Sequence, residues 1–538
     1  IICPASLTDM WEAYNEQFQL NARVLSMGLL RSGASALDGP LCSDRDFVLV
    51  DESHNFRHHS SQRYDALQSY LARENRRVCL LTATPRNRAA TDVYHQIKLF
   101  HPDDVTLLPI DPPNLKEYFR EVEAGRRRLQ DLLVHVLIRR TRKHILRYYG
   151  ITDDAPSRPM RELSDGEAVP YLDGRKRAHV LVQGKPSYFP QRKLETLRYS
   201  IEETYAGLYD RLRRYLGRPA GASGAPSPGK ELTYARYGLW HYVLPECQQV
   251  APYPDLHRAG MNLRGLVRVM LFKRFESSVH AFRRTLERLE RIHRVFLLAL
   301  DKGFVPAGEE AQELLYESDT LAEADLVEQL RQVSDRYRLA DFDATRLRAH
   351  IDADRKLIRE MLRLVRPIGP DEDAKLQVLQ EKLRAGIPKA TGKVLLFTQY
   401  AETAQYLFEQ INPGGQAKDI DCVFGTQKSK ARTAARFAPK ANPQIKVAPG
   451  DEVRILIATD VMSEGLNLQD GDVVVNYDLH WNPVRLIQRF GRIDRIGSQN
   501  DVVWGFNFLP EKALEKQLGL QQVLKGRIKE IHETIGED

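Results

Sequence analysis

Two adjacent carboxylates, Asp51 and Glu52, follow a short apolar run near the start of the 538-residue chain. The run Phe47–Val50 predicts a buried strand, so both carboxylates should lie at its carboxyl end. Ionised groups in that position must be paired, hydrated or bound to a metal, because their desolvation is costly. The pair suits hydrolysis of a phosphoanhydride, in which Asp51 would hold a hydrated Mg²⁺ ion and Glu52 would orient and deprotonate the attacking water.

A second group of residues that could do chemistry lies late in the chain, after two more predicted strands. The apolar runs Arg454–Ala458 and Asp472–Tyr477 predict buried parallel strands. Asn482 is a good N-cap and Pro483 fits the first helical turn. The sequence therefore predicts a helix that runs from there to about Ile496.

That helix would carry one amide and three guanidinium groups, from Gln488, Arg489, Arg492 and Arg495. Gln488, Arg492 and Arg495 are spaced at i, i+4 and i+7, so they would share one face. Planar guanidinium forks bind phosphate oxygens bidentately, and this face therefore suits a polyphosphate ligand. The alternative is an Arg-rich helix with a solvated face, because runs of charge usually lie at the surface.

The residues around both groups resemble known motifs. The patterns T-D-x-x-x-E-G-x-N from Thr459 and Q-R-x-G-R-x-x-R-x-G from Gln488 are similar to motifs V and VI of superfamily-two helicases, specifically the Swi/Snf-type branch. The D-E-S-H sequence at 51–54 resembles the Walker B motif. The resemblance implies an ATP-dependent DNA translocase with ATP and Mg²⁺ as cofactors, Asp51 at the metal, and catalytic Asp51, Glu52, Gln488, Arg492 and Arg495.

The resemblance assigns three further residues to the nucleotide. Gly465 would permit close approach of the backbone, and Asn467 would hydrogen-bond the ribose or a phosphate. His54 would couple the carboxylates to neighbouring motifs. A surface histidine that caps a turn is the alternative for His54.

Residues that contact nucleic-acid phosphates are also implied, from motifs Ia, III, IV and V and from the turn after a predicted strand at 422–424. They are Ser6, Thr82, Thr398, Gln399, Gly425 and Thr459. Phosphate contacts carry no base information, so binding would be independent of sequence and sensitive to salt. Proteins of this type track along an intact duplex. For Ser6, a capping serine at a strand end is an equal alternative.

Predicted strands alternate with helices in two parts of the chain, which indicates an α/β fold with two RecA-like parallel-sheet motor lobes and a large helical insertion between them. We expect the first lobe at residues 1–149 and the insertion at 150–370. The second lobe follows at 371–510, and a C-terminal helical extension at 511–538.

The insertion has apolar residues at helical spacing in Ser187–Leu216, Leu263–Leu300 and Thr320–Leu364. The Pro/Gly/Ser-rich stretch Arg218–Gly229 predicts a flexible loop. Within the insertion, Met270–Phe282 resembles a segment found between the motor lobes in bacterial members of the family. A basic amphipathic helix in a bundle is the alternative for that segment.

The sequence contains no GxxxxGK[ST] pattern, so the Walker A element of the family is absent from it. The stretch at 391–394 is not a substitute, because Val394 replaces the required Ser/Thr and a strand follows Lys393 where a helix should begin. We expect the missing element upstream of Ile1, and the chain alone to be inactive. A non-catalytic DNA-binding scaffold with degenerate lobes is the alternative, whereas a restriction motor would need a nuclease signature that we do not find.

Composition favours a soluble, cytoplasmic protein with an anionic partner, and no apolar run approaches the ~18–20 residues that a membrane helix needs. Lys+Arg 79 against Asp+Glu 72 gives a net charge of +7. Arg126–Arg147 has eight basic residues against one acidic, and Arg258–Arg294 has ten against three, so both should flank a duplex. Five scattered cysteines without a CxxC pair argue against zinc and for a reducing compartment. Likeness to the bacterial RapA and phage-defence groups suggests RNA polymerase or defence-system proteins as partners.

Overall fold

The computed structural model describes the chain except residues 33–36, 58, 60, 74–75, 84, 86–88, 201–203, 205–206, 218–225, 261–262, 318–321, 386–391, 426–429, 463–465, 499, 510–518, 520–521, 527 and 529–538. Two parallel α/β lobes and a helical insertion account for most of the described residues, which confirms the predicted fold class. The predicted C-terminal extension lies almost entirely outside the described residues, as does Gly465. Among the helices that the structure describes, none is long and apolar enough to cross a membrane.

The first lobe is built on a four-stranded parallel sheet in the order β2-β1-β3-β4. Its strands are β1 (Ile2–Cys3), β2 (Leu25–Ser26), β3 (Phe47–Val50) and β4 (Arg77–Leu80). Its helices are Thr8–Gln17, Pro40–Ser43, Gln62–Leu71, Thr91–Ile97, Leu115–Glu123 and Leu129–Val136. Val48 and Val50 are buried in the core beneath the sheet. Because all four strands are parallel, the residues that follow them meet at one edge.

A connecting segment, residues 142–198, follows the first lobe. It contains the helices Arg142–Tyr149 and Asp165–Leu172, an antiparallel sheet of β5 (Ile151–Thr152), β6 (Ala178–Val182) and β7 (Lys185–Ser187), and the strand β8 (Gln191–Arg198). The prediction of a purely helical region from residue 150 is therefore wrong for this segment. The first helix packs against the segment itself, since Arg147 donates to the carbonyls of Met160 and Leu163.

The rest of the insertion is helical, as predicted. Its helices are Leu208–Leu216, Tyr253–Gly260, Leu263–Ser277, Val279–Asp301, Glu309–Glu317, Glu323–Val333 and Ala344–Val365. The predicted helix over 263–300 is interrupted at Ser278, whose hydroxyl accepts a 3.0 Å bond from the Ala281 N–H and starts a new helix. The predicted helix over 320–364 is divided in the same way by the Asp343 cap.

The second lobe has a six-stranded parallel sheet in the order β10-β11-β9-β12-β13-β8. Its further strands are β9 (Val394–Phe397), β10 (Ile420–Val423), β11 (Ile455–Ala458), β12 (Val473–Asn476) and β13 (Val502–Leu509). Its helices are Ala374–Arg384, Ala401–Ile411, Lys430–Phe437 and Pro483–Phe490.

The edge strand β8 comes from the connecting segment and pairs with β13 along its whole length, from Gln191 opposite Val502 to Arg198 opposite Leu509. This pairing explains why the helix predicted over 187–216 does not begin at 187. As the edge strand, β8 is paired on its β13 side, and this ladder satisfies the backbone N–H and C=O groups that point toward β13.

Candidate active site

Asp51 and Glu52 leave the carboxyl end of β3, as the sequence predicts. Asp51 Oδ2 accepts a 2.9 Å bond from the indole N–H of Trp11, and its Oδ1 accepts a 2.8 Å bond from the backbone N–H of Glu52. Burial raises the pKa of Asp51, and these two neutral donors only partly oppose that effect. Glu52 has a left-handed backbone with φ of 50°. A left-handed backbone is uncommon for a non-glycine residue, and such strained residues cluster at active sites.

His54 lies buried between Glu52 and Thr82. Its Nδ1 is 3.2 Å from Glu52 Oε2 and 3.3 Å from the Thr82 hydroxyl. Thr82 follows β4 and belongs to the pattern that resembles motif III. The histidine thus physically joins the carboxylate loop to the next strand end, where the sequence analysis expects a coupling residue.

The predicted helix to Ile496 is wrong in its extent, because the observed helix Pro483–Phe490 ends six residues earlier. Its start is as predicted: the Asn482 side chain accepts a 3.1 Å bond from the Val484 N–H. After Phe490 the backbone bonds three residues back, with Ile493 N–H donating to the Phe490 carbonyl at 3.1 Å. This tighter turn carries Ile493 into the core of the second lobe, where it is fully buried.

Arg492 and Arg495 therefore lie on a turn, residues 491–498, which we call the arginine loop. Arg492 donates to the carbonyls of Gln488 at 3.3 Å and Leu466 at 3.2 Å. Arg495 donates to the Gly491 carbonyl at 3.1 Å and to the side-chain oxygen of Asn467. The loop brings together residues that the sequence assigns to motifs V and VI, although not through a shared helical face.

Gln488 and Arg489, on the helix before the loop, face the interior of the second lobe. The Gln488 side chain is buried and accepts a 3.5 Å bond from Arg485. Arg489 is fully buried and donates to Asp460 at 2.6 Å and to the Asn476 side chain at 3.1 Å. Arg489 therefore stabilises the packing of motif V against β12.

Charged groups of both lobes act on the carboxylate of Glu52. Burial raises the pKa of Glu52, but the hydrogen bond and charge of His54, together with the charges of Arg492 and Arg495, outweigh it. The pKa of Glu52 therefore lies below its ordinary value. Burial likewise lowers the pKa of Arg495, and Glu52 and Tyr14 of the first lobe oppose that change. Both guanidinium groups therefore lie close enough to Glu52 for their charges to act on it across the two lobes.

Among the residues assigned to nucleic-acid phosphates, Ser6 and Gly425 are exposed. Gly425 has φ of 63°, a conformation that favours glycine. Gln399 is half-buried, and its amide donates to the Leu479 carbonyl at 2.8 Å. Thr459 is buried, and its backbone N–H donates to the carbonyl of Val423, the last residue of β10.

Thr398 is not placed where a phosphate could reach it. Its side chain is fully buried, and its hydroxyl donates to Asp478 Oδ2 at 2.5 Å. The physical reason is that Asp478 is itself fully buried, so its carboxylate needs donors inside the lobe. Ser277 and the backbone N–H of Gln399 supply two more, both at 2.7 Å.

Some cations of the two basic runs form ion pairs within the chain. Arg126 and Arg128 pair with Glu121 and Asp131. In the second run, Arg274 pairs with Glu402 at 2.7 Å. The local excess of positive charge in the sequence therefore overstates the positive charge that a duplex would meet.

Two residues that contact the site were not singled out from the sequence. Trp11 bonds the metal-ligand candidate Asp51, and Asp478 organises motif IV. Asp460, which belongs to the pattern that resembles motif V, anchors the Arg489 helix. The signal for Asp478 was available, because it follows the buried strand β12 in the way that Asp51 follows β3. Trp11 gave no such signal, since its partner lies 40 residues away.

The residues present fit a Mg²⁺ ion and a nucleotide. Within the described residues, no group of three or more His, Cys, Asp and Glu side chains could hold a metal by itself. Mg²⁺ does not need such a cage, because it commonly binds one or two carboxylates together with water and phosphate oxygens. Asp51 suits this role because its hydrogen bonds come from the neutral Trp11 indole and Glu52 N–H, so a bound cation would supply the charge compensation that a partly buried carboxylate requires.

Comparisons with known proteins agree with the two lobes. Residues 42–155 match the family described as the SNF2-related domain, and residues 374–497 match the helicase conserved C-terminal domain. The ATP-dependent helicase YqhH of Bacillus subtilis is 35% identical over 116 residues, which cover 22% of this chain and 19% of YqhH. RNA polymerase-associated protein RapA of Vibrio cholerae is 31% identical over 133 residues, which cover 24% of this chain and 12% of RapA.

The chain thus matches a fifth or less of the length of these relatives. Among solved structures, the Hef helicase domain of Pyrococcus furiosus is similar over 97% of this chain and 88% of that one, with 13% sequence identity and a TM-score of 0.39.

Proposed function

Because the chain belongs to the Snf2-type group of superfamily-two helicases, we propose that it is the motor of an ATPase that moves along double-stranded DNA without separating the strands. The observation that carries this proposal is the approach of Arg492 and Arg495 to Glu52 across the two lobes. A cleft with carboxylates on one wall and guanidinium groups on the other suits a polyphosphate with its metal.

Each residue at the cleft has a distinct role in the proposal. Glu52 orients a water molecule and accepts its proton, for which its lowered pKa keeps it ionised at neutral pH. Arg492 and Arg495 stabilise the negative charge that develops in the transition state. Asp51 holds Mg²⁺, and His54 keeps Glu52 in place through its 3.2 Å contact. When bound, ATP supplies the phosphoanhydride bond, and Mg²⁺ neutralises charge on its phosphate oxygens.

The test is a substitution series in a protein that carries this chain together with a phosphate-binding loop, which we call the loop-complete protein. Arg495→Ala should lower turnover on the order of 10³-fold while ATP binding changes less, because the charge acts mainly in the transition state. Arg495→Lys should recover little, since an ammonium cannot bridge two oxygens in a planar fork. Glu52→Gln should abolish turnover.

Arg454→Ala is a matched control, because Arg454 pairs with Asp419 on the exposed surface of the same lobe. Its turnover should stay within about twofold of the unmodified protein, as expected for an exposed ion pair. If Arg495→Ala retains turnover within a few-fold of the unmodified protein, the role assigned to Arg495 is wrong.

We expect the 538-residue chain alone to show negligible ATP turnover, because its sequence has no GxxxxGK[ST] loop to cradle the phosphates. The same absence favours a second candidate function, a DNA-binding scaffold with degenerate lobes. The two are separated by DNA-stimulated ATP hydrolysis in the loop-complete protein. Robust hydrolysis supports the motor, and its absence together with DNA binding supports the scaffold.

The mode of movement has its own test. The loop-complete protein should use ATP to displace a triplex-forming strand from a duplex and should leave a plain forked duplex intact. DNA binding should be independent of sequence and should weaken steeply with salt, since the contacts proposed for exposed Ser6 and Gly425 are to phosphates, which carry no base information. Efficient fork unwinding without triplex displacement would contradict the proposed mechanism. The name of RapA makes RNA polymerase a candidate partner, which co-purification would test.

A further inference from the structure

Asp494 is the one acidic residue in the arginine loop, between Arg492 and Arg495. Its side chain is only 3% exposed, and it forms ion pairs with two arginines. Arg142 binds one carboxylate oxygen, and the Arg192 Nε binds the other at 2.5 Å. A carboxylate so fully removed from water depends on these two guanidinium groups.

Both arginines belong to the connecting segment and not to the second lobe's own motifs. Arg142 opens the first helix after the first lobe, and Arg192 lies in β8. Arg142 is itself held in place, because it donates to the Pro190 carbonyl at 2.9 Å and lies 4.7 Å from the centre of the Phe189 ring.

The connecting segment also holds the far end of the arginine loop. The Gly497 N–H donates to the Tyr188 carbonyl at 3.3 Å, and the Gln191 N–H donates to the Asp501 carbonyl at 2.8 Å. By contrast, the Arg495 side chain donates hydrogen bonds to Gly491 and Asn467 of the second lobe. Asp494 is therefore the side chain through which the loop is tied to the segment that leaves the first lobe.

We propose that Asp494 is a positioning residue, whose pairs with Arg142 and Arg192 hold the arginine loop in the geometry that Arg492 and Arg495 need. The consequence for turnover rests on the proposed function, but the mechanical role does not. Because β8 is part of the second lobe's sheet, a movement of the helix Arg142–Tyr149 relative to that lobe would shift the two guanidinium groups that face Glu52.

The mechanical role is tested in the 538-residue chain by hydrogen–deuterium exchange of residues 491–498, without nucleotide. Asp494→Asn should accelerate exchange there about tenfold or more, which is what one charge-assisted hydrogen bond is worth. Asp501→Asn is the matched control, because Asp501 pairs with Arg177 in the same interface while 77% of its side chain is exposed. This variant should leave exchange of the loop unchanged.

Equal exchange rates in Asp494→Asn and the unmodified chain would overturn the proposal. If Asp494→Asn does not fold, Arg192→Gln decides the matter. It removes one of the two partners at a position whose side chain is 38% exposed, and it should accelerate exchange of the same residues by a smaller factor. No acceleration in a folded Arg192→Gln variant would equally overturn the proposal.

Turnover in the loop-complete protein separates positioning from simple stabilisation. Asp494→Asn should lower kcat about 10²-fold with the KM for ATP within a few-fold, the effect expected of misplaced catalytic groups. Asp494→Glu keeps the charge and should recover part of the loss. If Arg495→Ala lowers kcat but Asp494→Asn does not, the positioning role of Asp494 is wrong and the proposed function stands. If Arg495→Ala has no effect, the proposed function fails, while the exchange result still decides the mechanical role.

Discussion

The buried charge cluster around Glu276 allows a sharp prediction about stability. Glu276 lies at the end of the insertion helix Leu263–Ser277, in the segment that resembles one found between the lobes in bacterial relatives. Its carboxylate is 3.0 Å from Lys273 Nζ and 3.5 Å from Lys375 Nζ. The three side chains are 0–4% exposed, and Lys375 belongs to the first helix of the second lobe. Glu276 therefore joins the insertion to that lobe.

Glu276→Gln keeps the shape of the side chain and removes its charge. Two buried ammonium groups would then lack their shared counter-ion, although Lys273 still donates to the Leu479 carbonyl at 2.7 Å. Burial already lowers the pKa of Lys375, and the Glu276 charge is the main effect that opposes this. Breaking a buried ion pair costs about 3–5 kcal/mol. We expect about 3 kcal/mol, because glutamine can still accept one hydrogen bond.

That loss should lower the thermal midpoint of the unfolding transition by about 6–12 °C. This conversion uses 2–4 °C per kcal/mol, the range for a cooperatively unfolding unit of about 150–250 residues. Differential scanning calorimetry of the 538-residue chain measures it. Glu287→Gln is the matched control, since Glu287 pairs with Arg284 at the surface, where the side chains are 39% and 61% exposed. A drop for Glu276→Gln no larger than that of the control would refute the reasoning.

Three further predictions concern single contacts, all measured by urea unfolding. Thr398→Val should lower the free energy of unfolding by about 1.5–3 kcal/mol, because the buried Asp478 loses a donor at 2.5 Å, and a change below about 0.5 kcal/mol would contradict this. Asn482→Ala should lower it by about 1 kcal/mol through loss of the helix cap, whereas Asn482→Asp should not. Burial lowers the pKa of His293 to about 3, so between pH 6.5 and pH 3 the unfolded chain binds a proton that the folded chain does not. Stability should therefore fall on acidification from pH 7 to pH 5, by about 2 kcal/mol from this residue, and His293→Gln should lose that part of the pH dependence.

Local patterns in the sequence determined the elements whose stability is local. The strand Phe47–Val50 has the predicted limits. Asn482 caps the predicted helix, because a capping side chain bonds a backbone N–H only two or three residues away. The positions of Asp51 and Glu52 followed from the same principle, since a buried strand delivers the next residues to the edge of its sheet.

Tertiary structure alone decided the contacts between residues that are distant in sequence. The strand β8 is polar and mostly exposed, and nothing in its own residues shows that it will pair with β13 some 300 residues later. Thr398 has the residue type of a phosphate ligand, but its partner Asp478, 80 positions away, claims the hydroxyl. The helical spacing of its arginines predicts a helix through the arginine loop. The observed helix instead ends at Phe490, and the turn that follows buries Ile493 in the core of the lobe. In each case the deciding energy comes from desolvation and pairing across the fold, which no local pattern encodes.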